Sequence, residues 1–481
     1  MVRAPARGSA GANLNEGRRA GIHVPGLVAG AAVLLALSLA ISGGTLDPYA
    51  LALVMAASVA ALASARFGLR GGLPSSTRPQ VFLLGLGLAA SLVHDILFLP
   101  GVLVDPARLG GFRPGIVAIA LVLASYFWQG APPWVVRARF PAIVLLATGL
   151  GAIVLLASPA PGIDVWHLQQ AGARALLSGE NPYGTLYPNI YGPGTALIDP
   201  SLLSPDGRFV IANPYPPLIL LLDAPGAWLG DVRWTMLAAV AAAALLVRRL
   251  GRGSVVAELA GAFLLVQPQG FFVLELSWTE PVALATILLA VLAVTRALDH
   301  AAREGEGRAT WLLPGLVGAV AASSKQYVPL LLLPLLFALP SRARIRTAAA
   351  AAGGAFLLLL PFLAWDPAAL LRGIVEFQIL QPFRPDALSW PAAIVALGGP
   401  TLPSWPAFLL AGASLAATLR RTVSPGQGVL ASAATWIVFV AFNKQAFCNY
   451  YWLAVGLLCA AVALLTDRYP SIVRLRTESP P

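Results

Sequence analysis

Residues 141–158 of the chain read PAIVLLATGLGAIVLLAS and contain no charged side chain. A stretch of this length and composition matches one helix that crosses a hydrocarbon core about 30 Å thick. Similar apolar runs of roughly 17 to 25 residues recur along the 481-residue chain. The sequence therefore predicts an all-α integral membrane protein, because a β-barrel would need shorter segments of alternating polarity.

The composition agrees with a membrane protein and argues against a soluble one. The chain is 58% hydrophobic and 11% charged, whereas soluble domains carry about 25% charged residues. The net charge of +11 comes from arginines in short connections, where basic residues set membrane topology. We therefore do not interpret the charge as a sign of nucleic-acid binding. The two cysteines, Cys448 and Cys459, suggest neither a disulfide framework nor a metal site.

The apolar runs predict about 14 transmembrane helices, within a range of about 12 to 15. They lie near residues 22–42, 48–65, 80–100, 115–129, 141–158, 233–248, 255–275, 281–297, 311–324, 327–339, 347–363, 403–419, 428–442 and 449–466.

Arginines mark every second connection between these helices, as the positive-inside rule requires. With a cytoplasmic N-terminus, the inner arginines are Arg18, Arg19, Arg66, Arg70, Arg137, Arg139, Arg248, Arg249, Arg252, Arg303, Arg308, Arg342, Arg344, Arg346, Arg420, Arg421, Arg474 and Arg476. Counting residues 215–229 as a span would break this pattern, so we assign them to an interfacial or re-entrant segment. The pattern predicts a multi-pass plasma-membrane protein with both termini in the cytoplasm and residues 159–232 on the outer face.

The outer loop 159–232 is the main polar segment of the chain, and residues 162–183 read GIDVWHLQQAGARALLSGENPY. Asp164 follows the end of an apolar helix and precedes an amphipathic helical pattern. An aspartate held beside a substrate hydroxyl acts as a general base. An aspartate at this position also serves as a helix N-cap, and the two roles are compatible.

Two turn motifs follow Asp164 in the same loop. The first contains Gly179, Asn181 and Tyr183, and the second is Asn213-Pro-Tyr-Pro-Pro217. Each alone is ordinary stop-and-turn chemistry. The two motifs together, in this order after an outer aspartate, are a more specific sequence signal than either motif alone.

The chain has only two lysines, Lys325 and Lys444, and each is followed by a glutamine, Gln326 or Gln445. Both lysines fall at the outer ends of predicted spans, against the inward bias of the arginines. A compact ammonium group suits a phosphate. A single lysine at a helix end also snorkels to the interface without any ligand.

Several other outer residues have two interpretations. Glu280 suits a metal ion or sugar hydroxyls, or simply the start of a helix. Arg372 and Arg384 suit a lipid phosphate, or pairing with Asp366 and Asp386. Tyr450 suits stacking on a sugar, or the aromatic belt of the membrane interface.

Taken together, these residues resemble the polytopic GT-C-type glycosyltransferases that use polyprenyl-phosphate sugars. The matching order is Asp164-x-Trp-His, Gly179-x-Asn-Pro-Tyr183, Tyr215-Pro-Pro-Leu218, Glu280 and Lys325. The similarity covers roughly residues 141–345, and its turn motifs are most similar to the bacterial mannosyltransferase-type branch. Two features depart from the family pattern: four extra spans precede the aspartate loop, and Glu280 is a lone acidic residue on the second outer loop.

The resemblance implies a fold with a large first outer loop that contains surface-lying helices. It also implies transfer of a sugar from a polyprenyl-phosphate donor to a lipid, glycan or protein acceptor, with inversion. Asp164 would be the general base, and Lys325 and Lys444 would hold the phosphate. Glu280, Gln326, Gln445 and Tyr450 are expected among the substrate-binding residues. The remaining predicted pocket residues are Trp166, His167, Asn181, Tyr183 and Tyr215. No cofactor is implied, and a divalent metal is compatible with the site without being required.

Three regions are expected on this basis: an N-terminal four-helix membrane extension at 1–140, a catalytic membrane module at 141–345, and C-terminal helices at 346–481 with an outer loop at 364–402. Two other functions remain open. A flippase or other transporter for lipid-linked glycans needs a polar path through the helices, for which His94 and Asp95 are the main intramembrane candidates. A non-enzymatic membrane scaffold needs no outer carboxylate.

Overall fold

A computed structural model describes residues 24–67, 76–192, 195, 197–210, 213–305, 307 and 309–466. This part of the chain folds almost entirely into helices. The α-helices are α1 (Val24–Ser42), α2 (Pro48–Phe67), α3 (Arg78–Leu97), α4 (Phe112–Ala124), α5 (Pro133–Ala157), α6 (Asp164–Leu177), α7 (Pro217–Trp228), α8 (Arg233–Leu250), α9 (Val255–Val266), α10 (Gly270–Glu275), α11 (Glu280–Glu304), α12 (Leu312–Ala322), α13 (Val328–Phe337), α14 (Ser341–Trp365), α15 (Pro367–Leu371), α16 (Phe377–Leu380), α17 (Trp390–Ala396), α18 (Trp405–Leu419), α19 (Pro425–Ala441) and α20 (Cys448–Thr466).

Short elements complete the described part of the chain. A π-helical turn, Arg372–Glu376, joins α15 to α16. The strands β1 (Tyr187–Pro188) and β2 (Arg208–Phe209) form an antiparallel pair. Single 3-10 turns lie at Pro106–Arg108, Ser125–Phe127, Pro200–Leu202 and Ala309–Trp311.

Seven of the described helices are long and apolar enough to cross a membrane: α1, α2, α3, α5, α11, α14 and α20. The number rises to eight if α7 and α8, which are bent by 112° against each other, form one broken span. Thirteen of the 14 predicted spans each overlap one α-helix and the span at 255–275 overlaps two, but six of the apolar helices are only 10–17 residues long. The structure thus supports the prediction of an all-helical membrane protein at the level of seven or eight spanning helices.

The predicted span at 255–275 is not a single helix. The structure divides it into α9 and α10, separated by Gln267, Pro268 and Gln269. Proline disfavours helical backbone in the residue before it, and Gln267 accordingly has an extended ψ of 147°. Gln269 has a φ of 65°, in the left-handed region. The continuous apolar pattern concealed this break, although Pro268 marked its position.

The last helix, α20, lies at the centre of the bundle, and 94% of its apolar window is buried. It packs against α1, α9 and α19, while α3 packs against α9. The N-terminal helices therefore share one core with the later helices. At the periphery, α14 packs mainly on α12 and is only 11% buried. Gly315 allows this close approach, since a Cβ there would lie 2.4 Å from the Cβ of Ala350.

Two arginines from separate connections meet at one end of the bundle. Arg139, before the midpoint of α5, and Arg248, at the end of α8, both bind the buried carboxylate of Glu258, at 3.1 Å and 3.0 Å. The shared ion pair places these two arginine-bearing connections on one side, as the charge pattern requires. Of the predicted inner arginines, Arg18, Arg19, Arg70, Arg308, Arg474 and Arg476 lie outside the described residues.

The opposite end of the bundle carries α6, α7 and the β1–β2 pair. Arg233, at the start of α8, is completely buried and fixes this layer to the bundle. Its guanidinium group binds Asp231 and also donates to the backbone oxygens of Ser158 at 2.7 Å and Glu275 at 3.1 Å. The prediction that 215–229 is not a separate span agrees with the short α7 and its sharp bend before α8. The predicted loop 364–402 is largely helical, since it contains α15, α16 and α17.

Candidate functional site

A cavity of about 370 Å³ with both polar and apolar walls lies at the end of the bundle that carries α6. Its walls come from connections that are far apart in sequence. The residues that line it are Gly43, Thr45, Ile163, Asp164, Val165, Leu168, Tyr191, Leu197, Pro214, Tyr215, Phe272, Leu276, Trp278, Lys325, Phe377, Gln378, Gln381, Arg384, Asp386, Gln445, Phe447, Cys448, Asn449 and Tyr450. The connections after α1, α5, α10, α12, α16 and α19 therefore meet at one place, and the charge pattern assigns all of them to the outer face.

Backbone hydrogen bonds hold three of these connections together. The amide of Leu46 donates to the carbonyl oxygen of Asp386 at 2.8 Å. The amide of Leu388 donates to Ala446 at 2.9 Å, and the amide of Arg384 donates to Lys444 at 3.2 Å. Segment 384–388 is thus fixed between the end of α1 and the start of α20. This frame gives the cavity a defined wall opposite α6.

Asp164 is the first residue of α6, and its side chain lies at the cavity. The N-cap position belongs to Ile163, whose side chain has no capping atom. The Oδ1 atom of Asp164 accepts hydrogen bonds from the amide of Val165 at 2.8 Å and from the hydroxyl of Tyr191 at 3.0 Å. The prediction that Asp164 is the N-cap is therefore wrong: Asp164 is the first helical residue, and its carboxylate binds the amide of the next residue instead.

The surroundings of Asp164 raise the pKa of its carboxyl group above the ordinary value, and burial is the cause. The hydrogen bonds from Tyr191 and Val165 and the nearby charge of Arg384 act in the opposite direction. A raised pKa makes the carboxylate a stronger base than a solvated aspartate. Burial lowers the pKa of His167, which is on the same helix.

Lys325 reaches the cavity and forms an ion pair with Glu280. Glu280 is the first residue of α11, is completely buried and does not line the cavity itself. Its Oε1 atom also accepts a hydrogen bond from the hydroxyl of Tyr327 at 3.0 Å, while Oε2 has no partner among the described residues. The Lys325 ammonium lies 5.8 Å from the ring centroid of Tyr450, which lines the same wall. Glu280 therefore orients Lys325 from behind the cavity.

Lys444, the second predicted phosphate ligand, has a different environment. Its ammonium group donates to the carbonyl oxygens of Ile379 at 3.0 Å and Gln381 at 2.5 Å, and it does not line the cavity. Partial burial lowers its pKa. These carbonyls end α16, where the backbone has unpaired acceptors. The structure places Lys444 as a C-terminal cap for this short helix, while the adjacent Gln445 lines the cavity.

Arg384 is the second cation that the structure places at the cavity. It pairs with Asp386 through two hydrogen bonds of 2.9 Å and 2.8 Å, the pairing that its sequence position allowed. Its guanidinium group also lies 4.9 Å from the ring centroid of Phe447. Arg372 is exposed on the π-helical turn and does not line the cavity, and Asp366 instead caps α15 through the amide of Ala369.

Several predicted pocket residues have structural contacts away from the cavity. The indole of Trp166 donates to Asp231 at 3.1 Å and stacks edge-on against His167. The side chain of Asn181 accepts from the amide of Tyr183 at 3.0 Å and so closes a turn. The hydroxyl of Tyr183 donates to the carbonyl oxygen of Tyr215 at 2.6 Å. The Gly-x-Asn-Pro-Tyr motif thus supports Tyr215, which does line the cavity.

Gln326 joins two walls of the site from outside. Its side-chain amide donates to the carbonyl oxygens of Pro214 at 2.6 Å and Ile374 at 3.2 Å. Gln378, which lines the cavity, donates to the same oxygen of Pro214 at 3.4 Å. The second turn motif is therefore a backbone anchor for the segment that contains α15 and α16.

Of the predicted site residues, Asp164, Tyr215, Lys325, Gln445 and Tyr450 line the cavity, while Trp166, His167, Asn181, Tyr183, Glu280, Gln326 and Lys444 do not. The structure adds polar residues that the sequence analysis did not select: Tyr191, Gln378, Gln381, Asp386 and Asn449. Tyr191 belongs to the run YPNIYG at 187–192, where an Asn-x-Tyr turn was its only local signal. Within the described ranges, no group of three or more His, Cys, Asp or Glu side chains is arranged to hold a metal ion.

Comparisons with protein-family models, with curated proteins and with solved structures find no match to this chain.

Proposed function

We propose that the protein is a membrane glycosyltransferase that moves a sugar from a polyprenyl-phosphate donor to an acceptor hydroxyl at the outer face of the membrane. One observation carries the proposal. A partly buried carboxylate with a raised pKa, Asp164, shares one cavity with two cations, Lys325 and Arg384. A base and phosphate-binding cations in one cavity are what such a transfer needs.

The size and polarity of the cavity fit a sugar phosphate. Its volume of about 370 Å³ falls in the usual range for small-molecule sites, about 300–1,000 Å³. Its walls combine tyrosines with the side-chain amides of Gln378, Gln381, Gln445 and Asn449. Aromatic faces and amides are suited to the alternating apolar and hydroxyl surfaces of a sugar ring.

The phosphate contact is assigned to Lys325 and Arg384. Lys444, the other lysine, already donates to two backbone carbonyls. The partner of Arg384 is Asp386, whose side chain is 46% exposed, and exposed pairs contribute little stability. An incoming phosphate can replace Asp386, and the planar guanidinium group suits two phosphate oxygens at once. Lys325 adds a point charge at the inner wall.

The chemistry is a single displacement with inversion. The acceptor hydroxyl oxygen attacks the anomeric carbon of the sugar and forms the new glycosidic bond. Asp164 receives the proton of that hydroxyl. The bond between the anomeric carbon and the phosphate oxygen breaks, and its electron pair leaves with the polyprenyl phosphate. Lys325 and Arg384 stabilise the charge that develops on this leaving group.

The membrane location of the cavity is consistent with a lipid-linked donor. The helix α14 ends at Trp365, next to α15 and α16, and its surface is apolar and exposed. A polyprenyl chain dissolved in the bilayer brings its phosphate to the interface. Residues Phe377, Gln378 and Gln381, after α15, line the cavity from this side. We assign the entry of the donor phosphate to this side of the cavity.

The test is sugar transfer by membranes that contain Asp164→Asn. Loss of a general base costs about 100- to 10,000-fold in rate, and we expect a loss of this size. The matched control is Asp199→Asn, since Asp199 is a half-buried aspartate of the same loop that caps a 3-10 turn and does not line the cavity. The readout is the mass of glycolipids formed from polyprenyl-phosphate sugars. Transfer by Asp164→Asn at more than a tenth of the parental rate, with stable protein, would contradict the proposal and favour a transporter or a scaffold.

A further inference from the structure

The hydroxyl of Tyr191 makes two hydrogen bonds to one residue, Asp164. The backbone amide of Asp164 donates to the hydroxyl oxygen at 3.2 Å. The hydroxyl in turn donates to Oδ1 of the Asp164 carboxylate at 3.0 Å. Because an amide only donates, the hydroxyl must accept there, and its single hydrogen is left for the carboxylate. The direction of both hydrogen bonds is therefore fixed by chemistry.

The local structure holds Tyr191 in this position. The amide of Tyr191 donates to the side chain of Asn189 at 3.0 Å, and that side chain donates to the carbonyl oxygen of Gly192 at 2.9 Å. The preceding residues, 187–188, pair with β2. Tyr187 is anchored separately, since its hydroxyl donates to the carbonyl oxygen of Pro182 at 3.0 Å. Tyr191 thus reaches Asp164 from a turn that is held by the Asn189 hydrogen bonds and by the pairing of residues 187–188 with β2.

The two oxygens of the Asp164 carboxylate have different environments. Oδ1 accepts from the amide of Val165 and from Tyr191. Both of these hydrogen bonds fall on Oδ1, so they leave Oδ2 available, and Asp164 lines the cavity. An oxygen that already accepts two hydrogen bonds is a weaker proton acceptor than its free neighbour.

We propose that Tyr191 is a positioning residue, which holds Asp164 by Oδ1 and so leaves Oδ2 to accept the proton of the acceptor hydroxyl. This inference rests on the proposed function, because it needs Asp164 to act as the base. Tyr191 does not take the proton itself, and it acts through the orientation and basicity of the carboxylate. The hydrogen bond favours the ionised form, so the free enzyme stays active at lower pH than it would without the hydroxyl.

Other charged and titratable groups near Asp164 must stay constant in a test of this idea. His167 lies on the same helix and is coupled to the charge of Asp164. Tyr215 and Arg384 are coupled to it from the second turn motif and from segment 384–388. Lys325 is a further charge on the same cavity. Substitution of Tyr191 by phenylalanine leaves all four groups in place.

The experiment measures kcat/KM for sugar transfer against pH for the parent, Tyr191→Phe and the control Tyr187→Phe. The control removes a tyrosine hydroxyl from the same segment without touching Asp164. The pH dependence of kcat/KM reports groups of the free enzyme, which is the state that the structure describes. For Tyr191→Phe we expect the acid limb to move up by about one pH unit, so that the rate falls about tenfold at low pH. The high-pH plateau should change less than about threefold.

Two results would overturn the proposal. One is an acid limb in Tyr191→Phe at the same pH as in the parent. The other is an equal loss at every pH in Tyr191→Phe and Tyr187→Phe, which indicates a purely structural role for the segment. Asp164→Asn separates this outcome from failure of the proposed function. If Asp164→Asn abolishes transfer and Tyr191→Phe leaves the limb unmoved, only the role of Tyr191 is wrong.

Discussion

Replacement of Lys325 by methionine removes the positive partner of Glu280 and keeps a side chain of similar length. Glu280 is completely buried and Lys325 is 9% exposed, so loss of the ammonium group leaves a buried carboxylate without its counter-charge. Only the hydroxyl of Tyr327, at 3.0 Å, remains as a donor to the Glu280 carboxylate. Removal of one partner from a buried ion pair costs about 3–5 kcal/mol. The folding equilibrium constant should therefore fall by about two to four orders of magnitude.

The double variant Lys325→Met/Glu280→Gln separates the role of this pair in folding from its role in activity. It removes both charges and leaves a neutral amide that still accepts from Tyr327. Replacement of a whole buried pair by neutral groups is often close to neutral. We expect the double variant to be within about 1 kcal/mol of the parent, which gives a coupling energy of about 2 kcal/mol or more. Sugar transfer should stay impaired, because Lys325 lines the cavity.

The measurement is reversible unfolding of the purified variants in mixed micelles, followed by tryptophan fluorescence, alongside transfer assays on the same preparations. Glu280→Gln alone completes the cycle and should destabilise the fold, because it leaves the buried ammonium without its counter-charge. The reasoning is refuted if Lys325→Met is as stable as the parent. It is also refuted if the double variant is less stable than both single variants.

Three further predictions concern other parts of the site. Burial raises the pKa of Asp164 above its value in the unfolded chain, so the free energy of unfolding falls as pH rises through the folded-state pKa. In unfolding experiments, Asp164→Asn should be at least as stable as the parent at pH 7.5. Its free energy of unfolding should also depend less on pH. In Gly373→Ala the new Cβ would lie 2.3 Å from the carbonyl oxygen of Asn213, and we expect the free energy of unfolding to fall by about 1–3 kcal/mol. The control is Gly412→Ala, whose Cβ meets nothing within 4 Å. Its free energy of unfolding should stay within about 0.5 kcal/mol of the parent. Lys444→Met removes the cap of α16, and hydrogen bonds of this kind contribute about 1–3 kcal/mol to local stability. Tryptic cleavage within residues 367–384 should therefore increase. The KM for the lipid donor should stay within about twofold, because Lys444 does not line the cavity.

The helical class of the fold was predicted because it depends on local composition, although only seven or eight of the described helices are long enough to span a membrane. Apolar runs located the helices. The spacing of the arginines assigned the connections that meet at the cavity to one side of the bundle. Asp164 was found by the same kind of argument, since a carboxylate after an apolar helix is a local signal. The break at Pro268 was missed because the hydropathy of 255–275 is continuous, while one proline controls the backbone.

The roles of individual polar residues were harder to predict, because they depend on which distant groups come into contact. Lys325 and Lys444 have similar sequence contexts, but one meets a carboxylate and the other meets two carbonyl oxygens. The sequence left two roles open for Arg384, binding of a lipid phosphate and pairing with Asp386. It did not indicate Tyr191 as a site residue. Their positions follow from the packing of segments 187–192 and 384–388 near α6 and α20, which single-sequence patterns do not encode.

The way in which the cavity is assembled has a consequence for biosynthesis. Its lining begins at Gly43, after the first helix, and ends at Tyr450, in the last one. A ribosome that has completed 400 residues has already exposed Asp164 and Lys325, but Gln445, Asn449 and the central helix α20 are still to come. The site is therefore complete only after the final helix has entered the bilayer and packed against α1. A partly synthesised chain therefore lacks a complete cavity, and any activity that needs the whole lining can begin only once α20 is in place.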